Sequence, residues 1–87
     1  MRKTYHMLLK QHFHRSLVLT RARLGLTQSE VAERLAMDDR SFVDLDHGKS
    51  CCSATTLALF LIYVCEDVDV FLQELRDVFE TDISQVA

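Results

Sequence analysis

The chain of 87 residues contains no proline and only two glycines, Gly25 and Gly48. Proline and glycine interrupt helices most strongly, so their scarcity leaves long stretches free to coil. Apolar residues recur at helical rather than alternating spacing, and no segment carries a strand pattern. The expected fold class is therefore all-α. Apolar residues make up 48% of the chain, which is enough for one core, while 87 residues are too few for two domains. A domain this short buries modest surface and gains stability from pairing with a second copy.

Local signals divide the chain into five helices. In the first, from about Thr4 to Leu24, a buried stripe is expected from Leu9, Phe13, Leu17, Thr20 and Leu24. Gly25 then supplies the residue that most readily leaves a helix in the left-handed conformation. Thr27-Gln28-Ser29-Glu30 is a capping box, in which hydroxyl and carboxylate satisfy free amides of the next first turn. Val31, Ala32 and Leu35 face inward from that second helix. Asp38 suits the N-cap of a third helix, closed by Gly48, and Ser53 that of a fourth. Asp67 or Asp69 opens a fifth, "VFLQELRDVFE". No repeat, low-complexity tract or linker divides residues 1–87, so a single domain is expected.

Charge is unevenly placed. Residues 1–23 hold Arg2, Lys3, Lys10, Arg15, Arg21 and Arg23 and no acid, whereas residues 24–87 hold all thirteen acids and four basic residues. Such asymmetry suits one surface for a polyanion and another for a different partner; the plainer reading is a solvated basic helix. The longest apolar run, "LALFLIYVC" at 57–65, falls far short of the roughly 20 residues that span a bilayer. The N-terminus mixes basic and apolar residues and lacks the apolar core of a signal peptide. Three cysteines, Cys51, Cys52 and Cys65, are an odd number with two adjacent, which is no disulfide framework; a reducing cytoplasm is expected.

The connection between helices two and three has the length of a helix-turn-helix, whose second helix is presented to the DNA major groove. "RARLGLTQSEVAERLA", followed by Phe42, Leu45, Asp46 and "GK", resembles the phage repressor/Cro-type helix-turn-helix family over about residues 12–65. The resemblance implies a five-helix repressor-like DNA-binding domain, here with a lengthened basic first helix, acting as a dimer on a near-palindromic operator. It implies contacts to double-stranded DNA from Gln28, Asp39, Arg40, Val43, Asp44 and Lys49. It also implies a structural ion pair between Arg21 and Asp46. Ala36 stands where the family usually has glycine, Asp38 where it has serine, and Cys52 where proline often precedes helix four. Asp44 replaces a residue that is commonly Arg, Lys or Gln.

Four aspartates in "MDDRSFVDLDHGK" pose an electrostatic question for a helix meant to approach phosphate. On a helical wheel Phe42 and Leu45 mark the core side, with Arg40, Val43, Asp44 and His47 opposite and Asp39 flanking. Asp38 is a cap and Asp46 turns toward helix one, so Asp39 and Asp44 are balanced by Arg40 and His47. A carboxylate can accept from cytosine N4, Arg40 can fork onto guanine and Val43 can touch a thymine methyl. Affinity rests mainly on phosphate contacts, expected from Gln28, Lys49, the amides that begin helix two and the basic N-terminal segment.

Helix four, about 53–64, is apolar on both sides, and such a helix must be covered twice. Helix five offers one wide apolar stripe. It either folds back over helix four or joins it in a two-fold interface, and the dimer is the expected outcome. Leu59, Ile62, Tyr63, Phe71, Leu72, Leu75 and Phe79 are the expected interface residues, with the helix-turn-helix at about 27–47 and dimerisation at about 53–80. His6, His12 and His14 have poor zinc spacing and are expected in solvent. Cys51 and Cys52 precede a helix N-terminus, which can lower a thiol pKa, though plain reduced cysteines are the expectation. No nucleophile–base pair, phosphate loop or metal box stands out, so neither enzyme nor cofactor is expected. The expected function is a cytoplasmic transcriptional regulator; the other reading is a protein-interaction or antitoxin-like module that kept the fold.

Overall fold

A computed structural model describes residues 2–86, with side chains as far as residue 82. The described residues form five α-helices and no strand: α1 Arg2–Leu24, α2 Gln28–Arg34, α3 Asp39–Asp46, α4 Ala54–Tyr63 and α5 Val68–Val86. None of these helices is long and apolar enough to cross a membrane.

The boundaries follow local chemistry. Thr27 Oγ1 accepts from the Glu30 amide at 3.1 Å and Glu30 Oε1 accepts from the Thr27 amide at 3.1 Å, closing the capping box of α2. These bonds favour ionised Glu30 and hold its pKa below the usual carboxylate value. Asp38 caps α3 by accepting from the Ser41 amide at 2.7 Å, and Ser53 caps α4 by accepting from the Thr56 amide at 3.1 Å. Asp67 accepts from the Val70 amide at 3.1 Å at the start of α5.

Three helices end in the same two-bond motif, in which the residue after the cap is left-handed. At α1 the Gly25 and Leu26 amides donate to Ala22 and Arg21; at α3 the Gly48 and Lys49 amides donate to Leu45 and Asp44. At α2 the Ala36 and Met37 amides donate to Glu33 and Ala32, but the left-handed residue is Ala36, at φ 54°. An L-residue pays a steric penalty there that glycine avoids. Ala36 is exposed, so its methyl packs against little. Ala36→Gly is expected to raise stability by about 0.5–1 kcal/mol, the relieved strain outweighing the added freedom of the unfolded chain. A urea titration checks this, and an unchanged or lower midpoint contradicts it.

The core gathers Phe13 and Leu17 of α1, Val31 and Ala32 of α2 with the adjoining Leu35, Phe42 and Leu45 of α3, Phe60 of α4 with the adjoining Val64, and Phe71 of α5. Phe60 lies at its centre, its ring centroid 5.0 Å from Phe13 and 5.6 Å from Phe71. The buried face of α1 differs from the sequence expectation. Leu8 and His12 are buried, Leu9 and Thr20 are half-buried, and Leu24 is exposed. The cause is α5, which runs antiparallel along α1: Tyr5 meets Phe79 edge-on at 4.8 Å and His12 meets Phe71 at 4.8 Å. The length of α1 thus serves to cover α5.

His12, expected in solvent, is 1% exposed. Its Nε2 donates to the Phe71 carbonyl at 3.3 Å and its Nδ1 accepts from Arg15 Nη2 at 3.4 Å, which fixes the neutral tautomer. Burial holds its pKa below 6.5, the Phe71 carbonyl opposes this, Arg15 adds to the lowering and Glu74 opposes it. The unfolded chain therefore takes up the proton first, and stability present above about pH 6.5 is lost as pH falls. The melting temperature is expected to fall between pH 7 and pH 5, and His12→Gln to flatten that slope. An equal slope in the variant would assign the effect elsewhere.

Candidate functional site

Helices α2 and α3 pack against each other, joined by a turn from Leu35 to Asp38. Val31, Ala32, Leu35, Phe42 and Leu45 hold the pair to the core. Facing outward from α3 and the loop after it are Asp39, Arg40, Asp44, His47 and Lys49, all exposed, with Val43 half-buried. Opposite charges alternate along this face. Asp39 is not free: its Oδ2 accepts from Ser29 Oγ at 3.1 Å, linking the first turns of the two helices.

Beneath α3 lies a hub centred on Asp46, which is 6% exposed. Its Oδ2 accepts from Arg21 Nη2 at 3.3 Å and from Gln28 Nε2 at 2.9 Å. Its main-chain carbonyl accepts from His14 Nε2 at 2.7 Å. Gly48 rests on the same histidine ring, where an added Cβ would lie 3.3 Å from ring atoms. Gln28, expected to reach toward phosphate, thus has one amide N–H engaged inside the fold. His14, expected in solvent, positions the end of α3. A histidine two turns before Arg21, with Gly48 closing α3, is the only sequence signal that could have suggested this. Among the described residues Asp46 Oδ1 and Arg21 Nε are buried without partners.

The residues expected at a dimer interface separate. Phe71 is in the core, Leu59 and Leu75 are half-buried against it, and Phe79 packs on Tyr5. These four serve the chain's own packing because α5 covers α1. Ile62, Tyr63 and Leu72 remain exposed, at 68%, 59% and 48%. An open groove of about 650 Å³ lies between α1 and the α4–α5 corner, lined in part by Leu19, Val70 and Phe71 with Glu66 and Glu74 at its edge. By helical period its α1 wall faces away from the side that touches α3.

Cys51, Cys52 and Cys65 are free thiols. Burial pushes Cys52 up to about 12, with Cys51 adding to the rise, so the start of α4 does not activate it. Among the described residues no group of three His, Cys, Asp or Glu side chains could hold a metal ion. Comparison with protein-family models, with curated proteins and with solved structures finds no match in any of the three.

Proposed function

We propose that this chain is a sequence-specific DNA-binding transcriptional regulator of the repressor/Cro type, acting in the cytoplasm as a homodimer on a palindromic operator. One observation carries the reading. Two short packed helices, joined by a tight turn, present the second with Arg40, Val43, Asp44 and His47 outward and Lys49 at its end. A helix so presented fits a major groove about 12 Å wide. In this reading Arg40 reads guanine, Asp44 accepts from cytosine, Val43 meets a thymine methyl and Lys49 neutralises phosphate. Pairing of two copies through Ile62, Tyr63 and Leu72 would set the half-site spacing.

Fluorescence anisotropy against a random duplex pool at two salt concentrations, after sizing the protein, tests it. Salt-sensitive binding that enriches a palindrome is expected. No binding at low salt would end this reading. Arg40→Ala is expected to cost about 1–3 kcal/mol at one base-pair position and to relax preference there. Lys49→Ala is expected to weaken all sequences alike and to lower the salt slope by about 1. Uniform losses for Arg40→Ala contradict its role as a reader.

A second reading is favoured by Asp39 and Asp44 on the outward face of α3 and by the inward-turned amide of Gln28. It is a protein-interaction module, antitoxin-like, that keeps the fold without reading DNA. A stoichiometric protein partner together with absent duplex binding would select it.

A further inference from the structure

The basic N-terminal helix has two sides with different fates. Arg21 and His14 both touch α3, at 3.3 Å to the Asp46 carboxylate and 2.7 Å to its carbonyl. They are seven residues apart, close to two full turns, so they leave α1 in nearly the same direction. Lys10 stands one turn before His14, and Lys3 stands two turns before Lys10. Lys3, Lys10, His14 and Arg21 therefore form one stripe, and its last two members fix where it faces.

Two of the cations off this stripe, Arg15 and Arg23, have partners on the other flank of α1. Arg23 pairs with Glu66 at 3.0 Å, and Arg15 donates to His12 beside Glu74. Among the described residues neither Lys3 nor Lys10 makes an ion pair. Gly48 rests on the His14 ring, so Lys49 leaves α3 close to the turn of α1 that carries Lys10. From the turn of α1 that meets Gly48, Lys10 and Lys3 thus continue the stripe away from α3.

We infer that Lys10 and Lys3 form a second phosphate-binding track on the lengthened α1, which continues from Lys49 and extends the nucleic-acid footprint past the bases that α3 reaches. This rests on the DNA-binding reading above. The two lysines are separated by about 10 Å along the helix, the rise of about three base pairs. A track of this kind adds affinity and salt dependence without base preference.

The test is anisotropy of the enriched duplex, with long and trimmed flanks, across a salt series. Lys3→Ala/Lys10→Ala is compared with Arg2→Ala/Arg15→Ala, which removes the same charge off the stripe. Melting curves establish that both variants fold. The stripe variant is expected to lose at least tenfold in affinity on the long duplex, and its salt slope to fall by about 2. It should also lose sensitivity to flank length, with its preferred sequence unchanged. Equal losses in both double variants would show a general charge effect and overturn the track. So would an unchanged stripe variant alongside a weakened Lys49→Ala, and there the DNA-binding reading would stand. Absence of wild-type binding would overturn both.

Discussion

Replacing Phe60 with alanine is expected to remove about 3–5 kcal/mol of stability. The ring is fully buried and lies 5.0 Å from Phe13 of α1 and 5.6 Å from Phe71 of α5. One side chain on α4 therefore joins three helices, and its removal opens a cavity at their meeting point. A domain of 87 residues has only about 4–13 kcal/mol in total at the usual stability per residue. The loss is thus a large share of the whole, and the melting temperature should fall by about 20 °C. Phe60→Leu keeps most of the volume and is expected to cost less than about 1.5 kcal/mol. Ile62→Ala, two residues along the same helix at 68% exposure, should change stability by no more than about 0.5 kcal/mol. Thermal and urea melts of the three variants decide the matter. A small Phe60→Ala effect, or an Ile62→Ala effect of similar size, would contradict the placement of α4.

The helix ends were legible in the sequence because their chemistry is local. Gly25, the Thr27–Glu30 box, Asp38, Gly48 and Ser53 each act on amides or carbonyls within a few residues. The rotation of α1 was not legible. Which of its faces is buried depends on α5, some sixty residues away in sequence, and a polar His12 beside Phe13 gives no hint that it will be capped by the Phe71 carbonyl. The same non-local contact decided the apolar surplus of α4 and α5. Their stripes showed that a cover was needed but not whether helix five folding over helix four or a second copy would supply it, and they did not point to α1 as a cover. Because α5 packs on α1, Phe71 and Phe79 face inward, while Ile62, Tyr63, Val68, Val70 and Leu72 are left outside.

The face of α3 could be read from its wheel, since Phe42 and Leu45 fix its rotation and so place Arg40, Asp44 and His47 outside. The side chains at its edges could not. Gln28 has a carboxylate within reach of its amide, and Ser29 has Asp39, so both bond inside the protein. These pairings depend on how close α2 and α3 approach, which the turn at Ala36 sets.

Asp46 shows how that approach is held, and Asp46→Ala is expected to cost about 3 kcal/mol. The substitution strands Arg21 beneath α3 and leaves the Gln28 amide without its acceptor. Breaking one partner of a buried pair typically costs about 3–5 kcal/mol. The lower end applies because the Arg21 side chain is 27% exposed and water can reach it. Asp46→Asn keeps an oxygen acceptor and loses only the charge, so about 1–2 kcal/mol is expected. The hub is not perfectly satisfied, since Asp46 Oδ1 and Arg21 Nε lack partners among the described residues. Arg21→Met combined with Asp46→Leu should therefore recover much of the loss, and the double-mutant cycle should show clear coupling. If α3 reads DNA, Asp46→Ala should weaken every sequence alike, because it loosens the seat of the helix and leaves Arg40 and Asp44 in place. Urea melts with amide exchange along α3 separate these effects. A loss below about 0.5 kcal/mol, with α3 amides as protected as before, would mean that apolar packing through Phe42 and Leu45 alone seats the helix.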